Sequence, residues 1–226
     1  MSKLTKSIII VAVILILDQI LKIWVKTNML IGESSFEDWG WIFKRVQLRF
    51  IENKGMAFGM VFPWLPADTG KLLLSIFRII AIGVIIWYLL KIIKQNAHIG
   101  FVISLSLILA GAIGNLIDSA FYGIIFNESA NIYNIGGSPA TLFPEGGGYS
   151  SFLHGSVVDM LYFPIFEGTY PDWIPFKGGE SFVFFQPIFN IADSAVTVGV
   201  LIILVFQKRF FQSELKKDTV SQTATN

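Results

Sequence analysis

Apolar residues in this chain fall into four long blocks: Ser7–Val25, Leu72–Ile93, Ile99–Ile117 and Ile188–Phe206. A bilayer core is crossed by ~20 mostly apolar residues. With no water there to bond the backbone, each block is predicted to be a helix. Lys3 and Lys6 precede the first block, as in a secretory signal, but the run is long and no small-residue cleavage site follows. It therefore reads as an uncleaved span. Between the blocks, Val46-Gln47-Leu48-Arg49-Phe50 alternates as a half-buried strand does. Residues Asn127–Ser151, rich in Gly, Asn, Ser and Pro, read as an irregular, mobile loop. The pattern predicts an all-α polytopic membrane protein with four transmembrane helices, a small external β-sheet and an external loop or helix as a lid. One membrane-embedded domain covers residues 1–212, with long loops at 26–71 and 118–187, and a polar tail covers 213–226.

Composition narrows the class. Charged residues are 15% of the 226, against ~25% in soluble domains. The absence of Cys excludes a disulfide scaffold and a thiolate metal site. A net charge of +1 argues against a nucleic-acid partner. Lys208, Arg209, Lys216 and Lys217 follow the last span, and Lys91 and Lys94 flank the turn between spans two and three. Between Ile124 and Pro187 the only Lys or Arg is Lys177, against six acids. Basic residues favour the cytoplasmic side, so both termini are expected there and the long loops outside. Trp39 and Trp41 fit the membrane interface.

That topology gives the polar residues in the spans a common level. Asp18, Lys22, Arg78, Asp118 and Asp193 all converge on the external end. Charges in a span are costly and by default mark function. Asn115 and Asp118 are three apart, as are Asn190 and Asp193, so each acid is expected to have an amide one turn away. Ala110, Gly111, Ala112 and Gly114 make a small-residue face for close helix packing. Asp18 has a natural partner in Lys22 at i+4, and Asp118 one in Arg78. Asp193 has no base near it in its own span, which favours a functional role. Asp159 lies in an apolar stretch too short to span, placed to meet Asp193 at the outer end of the bundle. Two carboxylates held together share one proton, the chemistry of aspartic proteases, which needs no metal or cofactor. His98 and His154 belong to no H-E-x-x-H motif, and no Ser has a G-x-S-x-G setting. The competing reading is an ion- or proton-coupled transporter that uses the intramembrane carboxylates.

The chain resembles lipoprotein signal peptidase (signal peptidase II), a bacterial intramembrane aspartic protease family. The similarity is carried in order by Asp18-Gln19 with Lys22, Asn53-Lys54-Gly55-Met56-Ala57-Phe58, Gly111 to Asp118, Val157-Val158-Asp159 and Phe189 to Ala195. The resemblance implies Asp159 and Asp193 as the catalytic dyad. It implies Asn53, Gly55, Asn115, Asp118 and Asn190 as residues that shape the site or bind substrate, and Asp18 and Lys22 as structural or supporting, with Arg78 beside them. It implies a prolipoprotein substrate whose Cys already carries diacylglycerol, cleaved just before that Cys. Inhibition by globomycin, contact with membrane lipids, a monomer and residence in the bacterial cytoplasmic (inner) membrane are also expected. Two departures stand out. Ser119 occupies the position where the family usually has Arg, a role Arg78 is placed to take. Insertions are inferred over Tyr122–Ser156 and within Met160–Gln186.

Overall fold

The computed structural model describes residues 1–35, 46–54 and 66–223, with residues 67 and 211–223 described by backbone only. Trp39, Trp41 and the Gly55–Phe58 motif lie outside the described residues. Helix α1 (Lys3–Asn28) starts where the Ser2 hydroxyl accepts from the Thr5 N–H at 3.0 Å. Helix α2 (Ala67–Lys94) begins directly after Pro66, and α3 (Ile99–Ile117) after His98, whose Nδ1 accepts from the Gly100 N–H. Helix α5 (Ile191–Thr223) is the fourth. Each of the four contains a stretch long and apolar enough to cross a membrane.

Helix α3 is the centre of the bundle, packed by α5, α1 and α2. Its small-residue face works as expected. A Cβ on Gly111 would stand 2.2 Å from the Ala192 carbonyl oxygen, so only Gly admits α5 at this distance. The apolar residues that α1, α2 and α5 leave exposed, such as Ile16, Ile20, Phe77, Trp87, Leu204 and Val205, form the outer belt. In lipid such a belt needs no cover.

Helix α3 does not end at Ile117. It widens into a π-turn (Asp118–Tyr122) and closes with the short α4 (Gly123–Ile125). The long excursion that follows returns to this point. Ser150 N–H bonds Gly123 O at 2.8 Å, Leu153 N–H bonds Ala120 O at 3.3 Å, and Gly155 N–H bonds Ser119 O at 2.8 Å. The segment read as mobile is irregular but pinned. Ala140 N–H donates to Lys26 O, Ile31 N–H to Ala130 O, and Phe126 and Ala140 are buried. The Lys26 ammonium, buried at the end of α1, pairs with Glu52 and donates to Ser129 Oγ.

Strands β1 (Ser34–Ser35), β2 (Gln47–Asn53), β3 (Val157–Tyr162) and β6 (Ile188–Phe189) make an antiparallel sheet in the order β1-β2-β3-β6. The strand expected at 46–50 is β2, shifted by a few residues. Leu48 faces Leu161 but Ile51 faces Asp159, so β2 carries one extra residue between them. Phe50, Val158 and Met160 are fully buried from this sheet against Val25, Met29, Tyr122 and Phe126. Strands β4 (Phe166–Thr169) and β5 (Ser181–Phe184) form a separate hairpin.

The fourth span starts later than its apolar run. Ile188 and Phe189 are drawn into the sheet opposite Tyr162 and Leu161, and the helix begins at Ile191. The polar tail expected at 213–226 is, through Thr223, a continuation of α5.

Candidate active site

Asn190 stands in the gap between β6 and α5 and caps the helix. Its Oδ1 accepts from the Asp193 N–H at 2.8 Å, three residues on. This cap sets Asp193 in the first turn of α5. Asp159 comes from the middle of β3, opposite Ile51 of β2. Two amides hold the acids, and each serves the acid of another element. Asn190 Nδ2 donates to Asp159 Oδ1 at 2.8 Å, and Asn115 Nδ2 to Asp193 Oδ1 at 2.7 Å. The two amides also meet each other, with Asn190 Nδ2 3.1 Å from Asn115 Oδ1. Asp118 and Asp193 do each have an amide three residues before them, Asn115 and Asn190, but each amide's N–H is given to the acid of another element. Asn190 is outside the helix, and Asn115 faces α5. Asn53, from the end of β2, donates to Asp159 Oδ2 at 3.3 Å.

Beneath the acids lies a buried ionic cluster. Lys22, with no exposed side-chain surface, bonds Asp18 Oδ2 at 2.9 Å, Asp118 Oδ2 at 2.8 Å and Asn115 Oδ1 at 3.0 Å. The other Asp18 oxygen accepts from the Ala192 N–H at 2.9 Å, and Asp118 Oδ2 accepts from the Val158 N–H at 3.2 Å. Ala192 precedes Asp193 and Val158 precedes Asp159. One ammonium thus ties together two carboxylates, each of which grips the backbone beside one of the facing acids. Gln19 joins them, donating to Asp118 Oδ1 at 3.0 Å while its Oε1 accepts from the Tyr122 hydroxyl at 3.1 Å. In the sequence Gln19 stands out only within the Asp18-Gln19 motif. Its place next to Asp18 in an apolar run was the available signal.

The expected Asp118–Arg78 pair does not form. Asp118 is fully buried against α1 and taken by Lys22. The next residue turns toward α2 instead. Arg78 Nη1 donates to Ser119 Oγ at 2.6 Å, and that hydroxyl donates to Asn115 O at 3.0 Å. Arg78 therefore does reach position 119, and its charge acts on Asp118, Asp193 and Asp159. A small cleft opens here, lined by Asn53, Lys54, Lys71, Ser75, Arg78 and Ser119 among others. His154 is held in its loop by Ser151 and the Phe152 carbonyl, and His98 caps α3.

Asp159 is 5% exposed. Burial strips water from its carboxyl and the negative Asp193 adds repulsion, which together push its pKa up to about 7 despite the Asn53 and Asn190 amides. A buried carboxyl that stays protonated to neutrality beside a second, half-buried carboxylate makes an acid and base pair.

The sequence profile of the signal peptidase (SPase) II family matches residues 10–209. The chain belongs to this family. It is 47% identical to the lipoprotein signal peptidase of Porphyromonas gingivalis over 202 residues, 88% of this chain and 81% of that protein. It is 37% identical to the lipoprotein signal peptidase of Amoebophilus asiaticus over 204 residues, 89% and 77% of the two chains. Among solved structures, two described as bacterial membrane enzymes superpose with TM-scores of 0.51 and 0.52 at 25% and 27% identity. They cover 95% and 89% of this chain, and 90% and 91% of their own lengths. Signal peptidase II membership agrees with the four apolar helices and the small antiparallel sheet. It gives the transporter reading no support.

Proposed function

We propose that the chain removes the signal peptide from diacylglyceryl-modified prolipoproteins, with Asp159 and Asp193 as the catalytic dyad. The observation that carries this is the Asn115–Asn190 bridge, which holds one carboxylate from β3 and one from α5 over a single site. In this mechanism the shared proton rests on Asp159, the more buried acid, and Asp193 is ionised. Asp193 takes a proton from a water whose oxygen attacks the scissile carbonyl carbon. Asp159 gives its proton to the carbonyl oxygen, and a tetrahedral diol forms. Collapse breaks the C–N bond as a proton passes to the leaving nitrogen, and one carboxyl keeps a proton for the next turnover. Asn53, Gly55 and Asn190 would position the substrate backbone and the acids, Asn115 would hold Asp193, and Asp118, Asp18 and Lys22 would brace both. Arg78 supplies the positive charge beside the dyad.

The basic residues at the span ends support a site on the external face of the bacterial inner membrane with both termini cytoplasmic. There a lipid-modified substrate presents its bond at the interface. A monomer in contact with membrane lipids, inhibited by globomycin, completes the proposal. The test is cleavage of a diacylglyceryl-modified prolipoprotein by purified chain in detergent, beside Asp159→Asn and Asp193→Asn variants whose melting curves show folding. Loss of cleavage in both folded variants is expected. Cleavage surviving in either one would remove that residue from the dyad.

A further inference from the structure

The β4–β5 hairpin takes no part in the site, yet it has two chemically different faces. Phe166 pairs with Phe184 and Gly168 with Phe182 across the ladder. Directly opposed residues share a face, so Phe166, Phe182 and Phe184 lie together, and Tyr170 extends the row. The rings pack on one another: Phe166 stacks on Phe184 at 4.7 Å, and Tyr170 meets Phe182 at 4.7 Å. The opposite face carries Glu167, Thr169, Ser181 and Val183.

Beyond the strands, the tip leaves Trp173 largely and Phe176 fully exposed. Its backbone is closed on itself, with Gly179 N–H bonded to Tyr170 O, and Ile174 N–H and Gly178 N–H bonded to Pro171 O and Ile174 O. It can therefore enter an apolar medium without stranding many peptide groups. A two-stranded ribbon with an uncovered aromatic face is marginal in water.

The chain itself says what lies beside the ribbon. Residues 163–165 join it to β3, residues 185–187 join it to β6, and the membrane-crossing helix starts at Ile191. The hairpin is thereby kept near the level where the fourth span enters lipid. Charge plays no part in the attraction, because Glu167, Asp172 and Glu180 outnumber Lys177.

We propose that the β4–β5 hairpin is an interfacial anchor, its aromatic face and the Trp173–Phe176 tip seated among the headgroups and upper acyl chains of the bilayer that the chain spans. Its depth is shallow, about 5–10 Å, as for amphipathic elements that lie in the interface. Zwitterionic lipid suffices, since the rings drive the insertion.

The chain has no Cys, so an introduced one is labelled uniquely. The full chain carrying Phe176→Cys, Trp173→Cys or Thr169→Cys is labelled with an environment-sensitive fluorophore. It is then reconstituted in phosphatidylcholine vesicles, with melting curves confirming the fold of each variant. At 173 and 176, blue-shifted emission quenched by lipid bearing a shallow nitroxide, but not by aqueous iodide, is expected. At 169 the reverse is expected. Adding phosphatidylglycerol should change neither result. Iodide quenching at 173 and 176 equal to that at 169 would overturn the anchor. So would energy transfer between differently labelled copies with protection from both quenchers, which would put a second copy of the chain on this face.

Discussion

Lys22→Met is the most informative single change, because one ammonium holds the base of the site together. Methionine keeps the apolar stem out to Cε and removes the charged Nζ. It leaves Asp18 and Asp118, each buried to 1% exposure or less, facing one another without a cation. Removing one member of a buried ionic set costs ~3–5 kcal/mol. At ~2–4 °C per kcal/mol for a chain of this size, the melting temperature should fall by about 6–20 °C. Asp18→Asn alone should cost less, since Lys22 keeps Asp118. Neutralising all three, with Lys22→Met, Asp18→Asn and Asp118→Asn together, should recover a large part of the loss, because no unpaired charge remains. Thermal unfolding of the four proteins in one detergent, followed by near-ultraviolet circular dichroism, separates these cases. A triple variant melting no higher than Lys22→Met would refute the charge argument and leave only shape. Lys22→Met melting with the wild type would refute the cluster's structural role altogether.

Other outcomes follow from the same geometry. Because Asp159 holds its proton up to about 7, cleavage should decline as pH rises through that value. Arg78→Gln should move this limb to higher pH, since losing a cation favours the protonated carboxyl; a pH profile that only falls in height would contradict it. The stability sign is also set. The folded state binds more protons than the unfolded chain, whose Asp titrates near ~3.9, so stability should fall with rising pH across ~4–7. Asp159→Asn should flatten that slope in unfolding curves taken at several pH values. Gly111→Val should lower stability by at least the ~1–3 kcal/mol of an overpacked contact, read as a lower melting temperature, because its Cβ would meet the Ala192 carbonyl. Asn190→Ser keeps a capping oxygen and should melt above Asn190→Ala, yet both should lose cleavage, since neither variant keeps the amide that donates to Asp159 Oδ1.

The spans were legible because lipid acts on each residue separately, and an apolar run announces itself. The charged residues within them were legible for the same reason: Asp18, Lys22, Asp118 and Asp193 are out of place in their own windows. Their partners were not. That Asn115 serves Asp193 depends on α3 facing α5, and that Asn190 serves Asp159 depends on β6 holding Asn190 just outside the helix. Strand β3 hid in its composition, since Val157 to Met160 are all buried and the alternation of a half-exposed strand is absent. The β4–β5 hairpin was readable in principle. Phe-Glu-Gly-Thr and Ser-Phe-Val-Phe alternate around a Pro- and Gly-containing turn, but the segment stood out only as an excess of length.

The π-turn at the end of α3 bears on how this protein tolerates growth. The chain leaves at Phe126 and comes back at Tyr149, whose N–H bonds the Phe126 carbonyl at 2.9 Å. The returning strand of loop is then fastened to Gly123, Ala120 and Ser119 before it reaches β3. Everything between Phe126 and Tyr149 is thus a closed detour, with both ends anchored to the same helical terminus. Closing a flexible detour becomes harder only slowly with length, by ~0.6 kcal/mol for each doubling. Insertions at its exposed turns, around Ile135 and Gly147, therefore cost the fold little and leave Asp159 where it is, whereas changes at Ser129 or Ala140 would remove contacts to Lys26. Lineages can remodel that surface, and with it whatever approaches the enzyme from outside, while the acids keep their spacing.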